Sequence, residues 1–258
     1  MSAAALEQAL LGAVPTAIPP RPLLLLGPAS SGRSALLFRA ALVAAAASPT
    51  RVLFLAPRPL ERLPGGGATA TGAIQRIHFL YPPSFRELFQ LVASLHENVS
   101  GTPSLIVLDG LEEYLGRCPG PHRAAQLVAL LLDTANHFSQ KPSVEPAGCQ
   151  LIVSMRLPEE AGEETEQLSA IERYFPARCW LHPEAGESSS SDSLGFPKLV
   201  RAHLSQPGTK DQEWLVRFDP QGDMRTSLLP GQCESDRGIA SGNHPMVPGT
   251  HSQTSGGP

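Results

Sequence analysis

Eight residues, Gly27-Pro28-Ala29-Ser30-Ser31-Gly32-Arg33-Ser34, constrain what this chain can fold into more than any other stretch. Four leucines, Leu23 to Leu26, precede them behind Pro22, and a short apolar run with such boundaries reads as a strand buried on both faces. The following SALLFRAALVAAAA, Ser34 to Ala47, is rich in helix formers and stops at Ser48-Pro49. Strand, glycine-rich turn and helix, with the spacing G-x-x-x-x-G-[basic]-[Ser/Thr], form a phosphate-binding loop: its amides turn inward around phosphate oxygens and the helix amino terminus adds partial positive charge. The candidate nucleotide-binding residues are therefore Gly27, Ser30, Ser31, Gly32, Arg33 and Ser34, with Ser34 as a magnesium ligand. Arg33 stands where lysine is usual. A guanidinium keeps the charge but is broader and planar, so the fit of a compact ammonium between the phosphates is not carried over.

The rest of the chain continues the alternation. Arg51 to Leu55 reads as a second buried strand and Ile74 to Leu80 as a third. Ser84-Phe85-Arg86-Glu87 is a capping box opening a helix to about Glu97. Ser104 to Leu108 is another buried strand, followed by a helix from about His122 to Phe138, a strand at Gln150 to Ser154, a helix at Glu160 to Tyr174 and a short strand at Cys179 to Leu181. Strands alternating with helices imply a mainly parallel sheet covered on both faces. Beyond a Ser/Gly/Glu-rich stretch at 183–193, the segments Lys198 to Leu204, Glu213 to Phe218 and Met224 to Leu228 alternate at period two, as antiparallel strands added to the sheet edge would. The expected organisation is an arm at 1–22, one domain at 23–229 with a flexible insertion at 183–193, and a disordered tail at 230–258.

Leu105-Ile106-Val107-Leu108-Asp109 has the form of the strand that brings a carboxylate beside a P-loop to hold magnesium, generally through water. Alone it would pass as a buried strand with an Asp-Gly turn; with the loop upstream, Asp109 becomes the second candidate metal residue. Hydrolysis also requires a group that orients the attacking water. The position after Asp109 is Gly110, and the end of the second strand reads Ala56-Pro57-Arg58-Pro59. Glu61, Glu112 and Glu113 are the nearest acids and read as surface charges.

Composition excludes several classes. A net charge of -4 argues against coating nucleic acid through the overall field. The four cysteines form no C-x-x-C pair, which suggests neither a zinc site nor a disulfide framework. No signal-peptide pattern or membrane-length apolar run is present, so a soluble intracellular protein is expected.

Several separate strings agree in order: LLLLGPASSGRSALLF, VLFLAPRPL, YPPSFREL at Tyr81 to Leu88, LDGLEEYL at Leu108 to Leu115, LVALLLDTA at Leu127 to Ala135 and RYFPARCWL at Arg173 to Leu181. Together they resemble the RecA-like ATPases that associate with a SWIM-domain zinc protein, over about residues 23–220. The resemblance implies an α/β RecA-like P-loop core using ATP and Mg2+. It further implies a nuclear recombinase paralogue in a Shu-type complex, with a SWIM-domain partner, RecA-type recombinase and its paralogues, and single-stranded DNA as partners. Gly27, Gly32, Ser34 and Asp109 match the family positions; Arg33 departs from the lysine of close relatives. RecA-type proteins place a glutamate at the end of the strand after the P-loop helix, and this chain has none there.

The loop after the strand ending near Ser154, where RecA-type folds contact DNA, holds Arg156 and then Glu159, Glu160, Glu163, Glu164 and Glu166. These would repel phosphate. DNA contact is therefore expected from the partner, or from a patch of Arg58, Arg62, Arg76 and Arg86, against the alternative that those arginines are ordinary surface. Phe38-Arg39-Ala40-Ala41 has the F-x-x-A form of a recombinase docking motif, although the same residues suit sheet packing. The helix at 127–138 and the strands at 198–229 are candidate partner surfaces. Competing functions are an efficient DNA-stimulated ATPase and a small-molecule P-loop kinase; the acidic segment after Met155 disfavours the kinase, which needs a basic lid.

Overall fold

The computed structural model describes residues 5–11, 21–60, 70–98, 101–116, 120–141, 148–158, 163–184, 198–219 and 223–229. A nine-stranded sheet runs in the order β3-β2-β4-β5-β1-β6-β7-β8-β9. Its parallel part comprises β1 (Leu23–Gly27), β2 (Arg51–Leu55), β3 (Ile77–Leu80), β4 (Pro103–Leu108), β5 (Gln150–Arg156) and β6 (Ala177–Pro183). Antiparallel β7 (Lys198–Ser205), β8 (Gln212–Phe218) and β9 (Met224–Leu228) extend one edge.

The four leucines of β1 are fully buried because β1 sits between β5 and β6 with helices on both sides. Leu23 and Leu25 face one core with α1 (Ala5–Leu10), α2 (Arg33–Ala47) and α3 (Ala70–Ile74). Leu24 and Leu26 face the other, with α4 (Phe85–Asn98), α5 (Leu111–Leu115), α6 (Pro121–Ser139) and α7 (Glu163–Glu172). The predicted capping serine is in place: Glu87 N–H donates to Ser84 Oγ at 3.3 Å. Phe38 and Ala41 are completely buried on α2, so the F-x-x-A residues serve the core.

Three readings are adjusted. The third strand starts at Ile77, not Ile74; Ala70 to Ile74 instead form one helical turn that packs Ala73 and Ile74 beside α2. The strand expected at Cys179 to Leu181 runs from Ala177 to Pro183, because pairing with β1 on one side and β7 on the other lengthens it. Within the expected N-terminal arm, Leu6 and Leu10 are spaced one turn apart and buried, which docks α1 against α2 and β9. The insertion at 183–193, from residue 185 onward, and the tail at 230–258 lie outside the described residues.

Candidate functional site

The connection after β1 runs to one face of the sheet and those after β4 and β5 run to the other. Divergence of this kind opens a crevice at the carboxyl ends of parallel strands. A cavity of about 430 Å³ lies there, and Arg33 and Ser34 meet Asp109, Gly110, Glu112 and the β2 end, Ala56 to Pro59, in its wall.

The loop is shaped by close approach. A Cβ on Gly27 would meet Ser31 Oγ at 2.6 Å, and one on Gly32 would collide with the Phe218 ring. Gly32 also has φ 89°, and Ser30, a non-glycine residue, has φ 57°. Left-handed backbone at two positions within three residues is the local strain typical of ligand-binding loops. Ser31 is 1% exposed and its Oγ has no hydrogen-bond partner. No side chain caps the start of α2. The uncapped helix amino terminus beside the cleft suits an incoming group with acceptor oxygens, which is what a phosphate supplies; the Ser31 hydroxyl is instead buried against Gly27.

Asp109 is two strands from β1, about 10 Å across the sheet. The intervening β5 supplies the link: Ser154 Oγ donates to Asp109 Oδ1 at 2.6 Å and accepts from Gly110 N–H at 2.9 Å. Gly110, with φ 75°, reverses the chain into α5, and buried Leu111, Tyr114 and Leu115 anchor that short helix. Burial pushes the Tyr114 hydroxyl far above its ordinary value, with the charges of Glu113 and Asp109 adding to the effect.

Anchoring α5 separates two adjacent acids. Glu113 lies in the exposed part of the cleft wall and pairs with exposed Arg58 at 2.6 Å. Glu112 turns into the cleft, where Oε1 accepts from Arg33 Nη2 at 2.9 Å and both side chains are 13% exposed. Glu112 is therefore not the surface charge expected from the sequence. The α5 pitch decides this, and no local pattern in Leu111-Glu112-Glu113 reveals which acid reaches Arg33. Ser154 and Phe218 were also missed, although a lone serine inside the apolar QLIVSM strand was a legible signal.

The proposed arginine patch does not assemble as one surface. Arg58 follows the carboxyl end of β2, whereas Arg76 precedes β3 at the opposite end of the sheet and donates to Ala45 O at 2.7 Å. Arg86 is exposed on α4, and Arg62 lies outside the described residues. Arg156 is exposed and Glu166 lies exposed on α7; Glu159 and Glu160 are outside the described residues. Of the candidate partner surfaces, α6 buries Leu127, Val128, Leu131, Ala135 and Phe138, while β7 to β9 bury one face and expose Arg201, Glu213, Arg217 and Arg225 on the other. Among the described residues no cluster of three or more metal-binding side chains occurs. Burial raises the Cys149 and Cys179 thiols to about 12, which makes them poor ligands and nucleophiles. No described helix is long and apolar enough to cross a membrane.

No family model matches the chain. It is 45% identical over 232 residues to the human ATPase SWSAP1, covering 87% of this chain and 97% of that protein. It is 44% identical over 234 residues to the mouse ATPase SWSAP1, covering 85% and 81%. The crystal structure of the RadB recombinase superposes with a TM-score of 0.55 at 19% identity, covering 83% of this chain and 94% of that one, which shows a shared RecA-like fold. With that fold and near half identity across almost the full length of the human protein, the chain belongs to the SWSAP1 ATPase family.

Proposed function

We propose that this chain is an ATP-binding recombinase paralogue that works in a Shu-type complex with a SWIM-domain zinc protein. In this reading it supports assembly of recombinase filaments on single-stranded DNA during homologous recombination, in the nucleus. The observation that carries the nucleotide part is the meeting of Arg33, Ser34 and Asp109 in one cleft beneath a strained glycine loop, in a chain whose relatives are named ATPases.

The amides from Gly27 to Gly32, with Ser30 and Ser31, would cradle the phosphates, and Arg33 would supply the cationic group. The Ser34 hydroxyl and Asp109, the latter generally through water, would hold Mg2+, which neutralises phosphate charge and polarises the phosphoryl oxygens when bound. Ser154 keeps Asp109 oriented. The end of β2 contributes Ala56, Pro57, Arg58 and Pro59 to the cleft but no carboxylate. Glu112 and Glu113 in the same wall are held by Arg33 and Arg58, so slow turnover by the chain alone is expected, with bound nucleotide stabilising a competent complex by linkage. A partner that supplies the missing water-orienting group would make the complex a DNA-stimulated ATPase.

The test measures Mg-ATP binding and turnover for the chain alone, for its one-to-one complex with the SWIM-domain partner, and for that complex with single-stranded DNA. Binding in all three with slow turnover alone is expected. Robust magnesium-dependent hydrolysis by the isolated chain that vanishes in Arg33→Ala would overturn the slow-turnover reading, and absence of nucleotide binding throughout would overturn the site.

A further inference from the structure

We infer that Glu112 is a built-in competitor for the phosphate site: it pairs with Arg33, and a nucleotide must draw the guanidinium away from it in order to bind. The inference rests on the nucleotide-binding reading above and concerns the regulation of that site.

Arg33 follows directly on the loop and is the cationic side chain of the P-loop; its Nη2 is held by Glu112 Oε1 at 2.9 Å. The bridge is single, not the two parallel bonds that guanidinium and carboxylate form at their best. Arg33 Nη1 and Glu112 Oε2 are both buried and lack hydrogen-bond partners, as does Ser31 Oγ. A bridge serving only to hold the fold would be expected to satisfy these atoms, because buried donors and acceptors without partners are costly. An arriving phosphate offers an oxygen to Arg33 Nη1, in the wall of the cleft. Glu112 itself is fixed, since α5 is anchored by buried Leu111, Tyr114 and Leu115, so the exchange falls to the arginine side chain. Arginine in place of lysine makes the competition effective. Its planar fork matches carboxylate and phosphate alike, so the two acceptors compete for the same donors.

The alternative is that Glu112 positions Arg33 for phosphate, and it predicts the opposite sign. The experiment titrates a non-hydrolysable ATP analogue with Mg2+ into the wild-type chain, Glu112→Gln, Arg33→Ala and the double variant. Thermal unfolding of each checks that it is folded. Glu112→Gln is expected to bind about fivefold tighter than wild type, the size of one modest ion pair. In the Arg33→Ala background the same change should gain less than about twofold. Unchanged or weaker binding in Glu112→Gln would overturn the inference, and so would an equal gain in both backgrounds, which would indicate general charge removal. If Glu112→Gln does not fold, Glu112→Asp, one methylene short of Arg33, replaces it with the same expectations. Failure of the wild-type chain to bind the analogue at all would instead sink the underlying nucleotide reading.

Discussion

Ser154 and Asp109 are joined across two strands by a 2.6 Å hydrogen bond, and both are buried. Ser154 donates to the carboxylate and accepts from Gly110 N–H, so one hydroxyl fixes both the acid and the turn that starts α5. Ser154→Ala leaves a buried carboxylate oxygen and a backbone donor without that partner. A cost of about 1–3 kcal/mol in stability is expected, measured by denaturant unfolding. Magnesium-dependent nucleotide affinity should fall several-fold, while binding in excess EDTA changes little. Equal losses with and without magnesium would remove Ser154 as the orienting group for a metal carboxylate.

Gly32 is under two separate constraints, its φ of 89° and the Phe218 ring. Gly32→Ala should destabilise the protein by about 2–4 kcal/mol, combining left-handed strain with overpacking. Adding Phe218→Ala should not restore stability to the level of Phe218→Ala alone, because the backbone strain remains. Full recovery, read from unfolding midpoints, would mean that the ring contact is the whole effect.

Glu7 on α1 is completely buried, with both carboxylate oxygens lacking hydrogen bonds and Arg39 at 3.5 Å. Burial raises its pKa above the ordinary 4.5, and its own backbone and Arg39 offset this only in part. The folded state therefore holds the proton more tightly than the unfolded state. The stabilisation is complete below pH 4.5 and is lost as pH rises through the folded pKa. Glu7→Gln should raise the melting temperature at pH 7.5 by about 2–4 °C, equivalent to roughly 1 kcal/mol in a domain of this size. Near pH 4 the gain should disappear. A gain that is the same at both pH values would refute the linkage.

Arg58 is 76% exposed and its bridge to Glu113 is a surface pair, worth at most about 1 kcal/mol. Because Arg58 and Arg76 sit at opposite ends of the sheet, Arg58→Glu with Arg62→Glu should leave single-stranded DNA binding by the complex within about twofold of wild type. A tenfold loss in a binding titration at fixed salt would reinstate that region as a DNA contact.

Much of the architecture is legible in the sequence. Local signals carried it: apolar runs such as Leu23 to Leu26, the serine cap at Ser84, and glycines at the turns after β1 and β4. Period-two alternation marked β7, β8 and β9 as half-covered strands, and their exposed Arg201, Glu213, Arg217 and Arg225 agree with that reading. Where boundaries moved, as at Ile77 and Ala177, pairing and packing with neighbouring elements set them instead of local propensity.

The sequence by itself determined the β1, glycine-turn, α2 unit, because an apolar strand, a glycine turn and a helix are consecutive and their order follows from local signals alone. It also named Asp109 and exposed the anomaly of Arg33. Only the tertiary structure decided what Arg33 touches. Glu112 is far from it along the chain, and which of the two adjacent glutamates in the cleft wall reaches Arg33 depends on the pitch of a five-residue helix anchored by the second core. The same holds for Ser154, brought beside Asp109 by strand order, and for Phe218, laid on Gly32 by an antiparallel extension of the sheet. Contacts between distant segments follow from how the sheet is ordered and its faces are packed, and no local pattern encodes them.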